Sequence, residues 1–468
     1  MIALTFAEIA AWVDGALRLT SRVTEQTRVS GSVQTDSRLV QPGSIFFALP
    51  GETTDGHRYA AAAAANGAAL IVAEHPVDAA VPQVIVANGV LALAALAHAV
   101  VQRVRVGGAL TVVAITGSNG KTTTKNMLRS ILGRVGPTVA PQGSYNNQIG
   151  APISMLEIDQ DTRFLIVEMG ASAAGDIARL VAIVRPDVAV VLTVGFAHAG
   201  DFGGLDATQR AKAELVTGLS ASAVAVLNAD DDRVAAMAAL TEARVVWFGL
   251  SETATVRADD ILASADGTSF TLLSGGAACT VHLRILGEHQ VMNALAAIAV
   301  ASELGVPQDV AVAALEALPR AERWRMELLR PGGDVIVVND AYNASPDSTA
   351  AALKTLAQIT GAHQRSVAVL GEMADLGELS DEEHDRIGRL VVRLNINKLI
   401  VVGHRARHIH NAAGLEGSWN GESVLVDTPE AAYDLLCDEL RAGDIVLVKS
   451  SKSAELRFLG DRIGGVTS

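Results

Sequence analysis

The residues Thr116-Gly117-Ser118-Asn119-Gly120-Lys121-Thr122-Thr123 carry the clearest chemistry in this chain of 468 residues. They follow the apolar run Thr111-Val112-Val113-Ala114-Ile115 and lead into a helical pattern. Strand, glycine loop and helix in that order make a cradle for a polyphosphate. Glycines let backbone N–H groups approach phosphate oxygens, and the helix adds its positive N-terminal end. Lys121 would neutralise the β- and γ-phosphates and Thr122 would offer a hydroxyl to Mg²⁺, with Gly117, Ser118, Asn119, Gly120 and Thr123 completing the loop. Ile115 stands where the commonest phosphate loop has its first glycine, so the motif is the tighter Gly117-x-x-Gly120-Lys121-Thr122. An ATP site is predicted.

Positioning that loop requires a sheet whose strands end near it. Apolar runs at 164–167, 188–194 and 223–227 alternate with helical patterns at 176–185 and 206–219, as in a parallel sheet covered on both faces. In open sheets of this kind ligands gather beyond the carboxyl ends of the strands. Glu168 directly follows its strand and His198 lies in the loop after 188–194. Each reads either as a metal ligand beside Thr122 or as an ordinary strand-end carboxylate and a capping histidine. Asn146 and Asn147 could bind substrate or make turns. The stretch Asn228-Ala229-Asp230-Asp231-Asp232 reads equally as a site or a helix cap. Lys212 falls mid-helix, where an exposed lysine needs no explanation.

Three segments are predicted, making an α/β protein of three domains. Residues 1–86 form a small α/β module, with Thr35-Asp36-Ser37-Arg38, a helix over the alanine tract 60–65 and strands near 69–73 and 84–86. Residues 87–319 form the parallel-sheet nucleotide domain, with antiparallel hairpins in the Thr-, Ser- and Gly-rich stretch 255–286 and helices at 289–304 and 307–318. Residues 320–468 restart the strand–helix alternation as a second, Rossmann-like doubly wound sheet without a phosphate loop of its own.

Bulk properties narrow the class. Half the residues are hydrophobic, enough for full-sized cores, while a formal charge of -14 argues against general binding to nucleic acid or anionic membranes. Cys279 and Cys437 are the only cysteines, which excludes a disulfide framework or a four-cysteine zinc site and suits a reducing cytoplasm. No apolar run is read as long enough to span a bilayer.

Taken together, the motifs resemble the ATP-dependent Mur ligase family of peptidoglycan synthesis. The resemblance rests on the Thr116-to-Thr123 loop, Asn146-Asn147, Glu168, His198, Lys212, the Asn228-to-Asp231 segment, and Gly287-Glu288-His289-Gln290 with Asn293. Four stretches resemble the branch that adds D-alanyl-D-alanine: residues 146–152, Asn339-Asp340-Ala341-Tyr342-Asn343-Ala344-Ser345-Pro346, Gly371-Glu372-Met373-Ala374-Asp375-Leu376-Gly377, and Val448-Lys449-Ser450-Ser451-Lys452. The resemblance implies a monomeric amide ligase acting on UDP-N-acetylmuramoyl-tripeptide and D-alanyl-D-alanine, with ATP and two Mg²⁺ ions. It further implies that Glu168 and His198 are metal ligands and that Lys212 is carbamylated by CO₂ to help hold a second metal. Lys121, Glu168, His198 and Lys212 are then the catalytic set. His289, Asn293, Arg323 and Asp340 become nucleotide contacts, and Ser37, Arg38, Asn146, Asn147 and Asn343 substrate contacts. Gln148, Ala341 and Ser451-Lys452 depart from the usual pattern. Two other readings stay open, a related ligase for a different amino acid and a nucleotide-gated binding protein.

Overall fold

The computed structural model describes residues 1–51, 54–196, 204–320, 322–417 and 419–466. Three larger sheets organise the described residues, beside a two-stranded pair of Leu4–Thr5 with Arg28–Val29. In the first, β1 (Ala16–Arg18), β2 (Val33–Gln34), β3 (Ile45–Ala48), β4 (Leu70–Ala73) and β5 (Gln83–Ile85) lie in the order β1-β5-β4-β3-β2. Only the β1/β5 pair is antiparallel. Every residue of β3 and β4 is buried, as expected for parallel strands covered on both faces. The alanine tract is a helix over Ala60–Ala65, and Gly67 follows with a φ of +99° that a side chain would resist.

Helix α1 (Gly89–Gly107) leads into the second sheet. Its 19 residues, with a mean hydropathy of 1.4, meet the length and composition of a membrane span, contrary to the expectation of no such run. Their pattern explains where the apolar surface goes. Leu93, Leu96, Ala97, Val100, Val101 and Val104 recur at helical spacing and are all buried in the core shared with the first two sheets.

The second sheet contains β6 (Thr111–Thr116), β7 (Thr138–Val139), β8 (Phe164–Glu168), β9 (Val188–Val191), β10 (Val224–Asn228), β11 (Arg244–Gly249), β12 (Val256–Ser264), β13 (Gly267–Ser274) and β14 (Ala277–Leu283). Their order is β14-β13-β12-β11-β10-β9-β6-β8-β7. Pairs from β7 to β12 are parallel, while β12/β13 and β13/β14 are the antiparallel hairpins expected in the polar stretch. Strand β6 lies between β8 and β9, so the chain leaves it in opposite directions and a crevice opens at its carboxyl end. Helix α2 (Lys121–Leu132) rises from that point. Strand β9 stops three residues short of the predicted run: Leu192 to Val194 turn away to hold the phosphate loop, with Ser118 N–H donating to the Thr193 carbonyl at 2.8 Å.

In the third sheet β15 (Glu327–Gly332), β16 (Val335–Asn339), β17 (Arg365–Leu370), β18 (Lys398–Val402), β19 (Glu422–Val426) and β20 (Asp444–Lys449) take the order β15-β16-β20-β17-β18-β19. All pairs are parallel except β15/β16. The antiparallel edge strand β15 and the central β11 are elements the sequence reading did not separate from their neighbours.

Candidate functional site

The short loop motif is explained by register. Ile115 is the next-to-last residue of β6, fully buried, and pairs with Glu168 on one side and Val190 on the other. The turn therefore begins only at Gly117. Gly120 caps α2 with a φ of +84°, and a Cβ there would lie 2.2 Å from Asn293 Oδ1. Both its conformation and its space require glycine. Lys121 curls back over the loop, its ammonium donating to the Gly117 carbonyl at 2.6 Å. Burial pushes Lys121 below the ordinary lysine value, against the attraction of Glu168.

Around the loop, carboxylate and hydroxyl oxygens converge. Thr122 Oγ1 donates to Glu168 Oε2 at 3.0 Å, and Asn146 Nδ2 donates to the other carboxylate oxygen at 2.9 Å. Thr122 and Glu168 are 3% and 1% exposed. A buried hydroxyl and carboxylate beside a phosphate cradle form the hard-oxygen set that Mg²⁺ prefers, so these residues fit the ion. Asn147, by contrast, turns away: its side chain accepts from the N–H groups of Ile149 and Gly150 and makes the turn into the helix Gly150–Met155. Of the two asparagines only Asn146 faces the site.

Two helices wall the site. Residues of α3 (Leu205–Thr217) and α4 (Glu288–Glu303) approach β6 from different sides. In α4, Asn293 accepts from Thr124 Oγ1 at 3.3 Å and donates to Gln290, whose amide reaches His289 Nε2 at 3.0 Å. Burial lowers His289 to about 4, so the ring is neutral near pH 7. In α3, Lys212 is 4% exposed, correcting the expectation of an exposed helix lysine. Burial first, and the charge of Lys121 second, lower its amine to about 7. His198 lies outside the described residues. Asp231 resolves the even reading of its segment by doing two jobs. It caps the helix Asp232–Ala235, and it also accepts from Thr193 Oγ1 and Val194 N–H at 2.8 Å each, fixing the segment after β9 that flanks the loop.

The third sheet closes the site from above. Ser118, Asn119, Gly120, Lys121, Thr122, Thr123, Asn146, Glu168, His289 and Asn293 share a cleft of about 440 Å³ with Asp340, Tyr342, Asn343 and Lys449. Asp340 and Lys449 project from the carboxyl ends of β16 and β20 and pair at 2.5 Å, while Lys449 also donates to the Asn343 carbonyl. Helix α5 (Pro346–Ile359) touches the loop directly: Ser345 Oγ donates to Asn119 Oδ1 at 3.2 Å, and Asp347 accepts from Phe196 N–H at 2.9 Å.

Arg325 also lines this cleft, stacked 4.5 Å over the Tyr342 ring, and its Nε is buried without a partner among the described residues. The sequence reading selected Arg323 instead, whose side chain pairs with Asp461 at 2.7 Å and lies over Trp324, not among the cleft-lining residues. Trp324 and Met326 flank Arg325 with left-handed φ values of +58° and +48°, a backbone path that no residue spacing announces. Ser37 and Arg38 lie apart in the first module. Ser37 is buried, whereas Arg38 is exposed and paired with Asp36 at 2.6 Å.

The arrangement of loop, carboxylate and opposed third sheet has close counterparts. Residues 31–114 match the family model described as Mur ligase family, catalytic domain; residues 115–301 match the Mur ligase middle domain, and residues 324–452 match the Mur ligase, glutamate ligase domain. The chain belongs to the Mur ligase family. Among curated relatives of this Mur ligase is the UDP-N-acetylmuramoyl-tripeptide--D-alanyl-D-alanine ligase of Mycobacterium tuberculosis, 45% identical over 99% of this chain and 98% of the relative. The enzyme of the same name from Escherichia coli is 32% identical over 97% of both. Among solved structures, MurF from Acinetobacter baumannii superposes with a TM-score of 0.88 at 31% identity over 99% of both chains. MurF from Thermotoga maritima in complex with ADP gives 0.81 at 28% identity, covering 93% of this Mur ligase and 98% of that chain.

Proposed function

We propose that this Mur ligase joins D-alanyl-D-alanine to UDP-N-acetylmuramoyl-tripeptide at the expense of ATP, as a cytoplasmic monomer making a peptidoglycan precursor. The full-length likeness to relatives carrying that name supports the choice of substrates. The observation that carries the reading is the cleft itself, where the phosphate loop of the second sheet faces Asp340, Asn343 and Lys449 of the third. A phosphate donor and a peptide acceptor can meet there. In this reading residues 1–86 hold the UDP-sugar through Ser37 and Arg38, residues 87–319 hold ATP, and residues 320–468 bring the dipeptide.

A carboxylate is a poor electrophile, and the chain's groups are placed to change that. A terminal carboxylate oxygen of the tripeptide attacks the γ-phosphorus; the bond to the ADP oxygen breaks, leaving ADP and an acyl phosphate. The neutral amine of D-alanyl-D-alanine then attacks the acyl carbon, forming a tetrahedral intermediate that expels inorganic phosphate and releases a proton. Lys121 and the N–H groups of residues 119–122 hold charge on the transferred phosphoryl group, where preorganised positive groups do most of the work. Thr122 and Glu168 would hold one Mg²⁺, which when bound neutralises phosphate charge. His198 and Lys212 are proposed for a second. Lys212 suits carbamylation because its amine, lowered to about 7, has a substantial neutral fraction near pH 7: the lone pair of the neutral amine adds to CO₂ and one proton leaves, converting the neutral amine into a carboxylate-like carbamate anion. Burying the cleft under helix α5 protects an acyl phosphate from water.

Release of ADP and phosphate should require both UDP-tripeptide and D-alanyl-D-alanine, with the pentapeptide nucleotide detected by mass. Turnover with single amino acids in place of the dipeptide would overturn the substrate assignment.

A further inference from the structure

Lys125 is a charged side chain that the chemistry above leaves unused. It sits one helical turn beyond Lys121 on the same face of α2 and is 0% exposed. Lysine is almost never buried to this degree without partners. Here the ammonium donates to two backbone carbonyls of one loop, Pro141 at 2.7 Å and Gly143 at 2.8 Å. Burial lowers its proton affinity, opposed by the nearby charges of Glu168 and Glu322.

The loop it grips leads straight into the site. Ser144, next in sequence, meets the Tyr342 hydroxyl at 2.7 Å across the cleft, and Asn146 donates to Glu168 while its carbonyl accepts from Gly170 N–H. Glu168 in turn accepts from Thr122, which stands three residues before Lys125 on α2. A closed circuit results: α2 to the 141–143 carbonyls through Lys125, along the loop to Asn146, across to Glu168, and back to α2 through Thr122. Methionine would fill much the same volume and bury no charge, but it would leave two carbonyls unpaired and open that circuit at one point.

We propose that Lys125 is a positioning residue that couples the phosphate-loop helix to the 141–147 loop, and thereby aligns Asn146, beside Glu168, for the acceptor substrate without touching the nucleotide. The proposal rests on the reading of this cleft as the ligase site.

The test compares the full-length chain with Lys125→Met and Lys125→Arg, measuring ADP affinity by calorimetry, kcat and KM for each substrate, and hydrogen exchange by segment. For Lys125→Met, ADP affinity and KM for ATP should stay within about 3-fold. The KM for UDP-tripeptide should rise or kcat fall by about 10- to 100-fold, the range found when a group supporting a site's direct ligands is removed. Exchange should quicken in residues 141–147 and not in 111–116. Lys125→Arg, which keeps a donor cation, should recover part of the loss, and combining Lys125→Met with Asn146→Ala should cost less than the two losses multiplied. Native kinetics in Lys125→Met, or loss of ADP binding in parallel with activity in both variants, would overturn the proposal. Failure of the unaltered chain to ligate the dipeptide would instead count against the functional reading itself.

Discussion

At pH 7 a free lysine is almost wholly ammonium, whereas burial beside Lys121 leaves Lys212 near its midpoint, at about 7. Because the value is lowered, the neutral, CO₂-reactive fraction grows as pH rises through that point and shrinks below it. Carbamate on Lys212 should therefore be visible as a ¹³C signal from labelled bicarbonate that fades on acidification through pH 7 and is absent from Lys212→Ala. That variant should lose about 100-fold or more in turnover, the size seen when one group stabilising transition-state charge is removed, with partial recovery in added acetate. Full activity in Lys212→Ala would exclude the role. The two arginines near the domain junction separate by the same logic of surroundings. Arg325 faces the cleft with an Nε that has no partner among the described residues, so Arg325→Ala should cost about 10- to 1000-fold in kcat/KM for ATP. Arg323 is engaged by Asp461 at a half-exposed position. Its replacement by alanine should cost about 0–1 kcal/mol of stability and leave the kinetics alone. Reversal of these two outcomes would restore the assignment made from sequence.

Among elements, the phosphate loop was the most legible because its constraints are local. A glycine between a strand and a helix has few other reasons to exist, and Gly120 meets both: a φ of +84° and an Asn293 side chain in the space of its absent Cβ. Gly120→Ala should weaken ADP binding by about 5- to 30-fold, since the left-handed conformation alone costs about 1–2 kcal/mol; titration of the variant checks it. The alanine helix, the antiparallel stretch and the alternation of the third sheet were legible for similar reasons, period and punctuation. What sequence could not supply was the facing of individual side chains. Asn146 and Asn147 are chemically identical neighbours, yet one reaches Glu168 and the other closes a turn. Lys212 looked exposed because its helix is amphipathic by pattern, and only the packing of α3 against the sheet shows it buried. Lys125 was passed over altogether, since a lysine after Thr122-Thr123-Thr124 has no signature until the loop it grips is seen.

For the whole molecule, the decisive feature is that carboxyl edges of two doubly wound sheets meet. Around the cleft the contacts bridging them are polar: Asn119 with Ser345, Phe196 with Asp347, Ser144 with Tyr342, and Asn126 with Glu322 at 3.1 Å. Elsewhere Leu286 packs into the core of the third sheet, with Ala263 and Ala265 against that core, and Arg330 pairs with Asp266. Polar seams of this kind suit surfaces that part to admit substrates and close to exclude water. The excess of acidic residues, giving the formal charge of -14, leaves anion binding to local positive groups such as Lys121 and Arg325. The central claim is that the cleft converts a peptide carboxylate into an acyl phosphate before the dipeptide arrives. Supplying UDP-tripeptide labelled with ¹⁸O in its terminal carboxylate, together with ATP and D-alanyl-D-alanine, tests it most directly. One labelled oxygen should appear in each phosphate released and the other in the new amide. Pentapeptide formed with unlabelled phosphate would contradict the account.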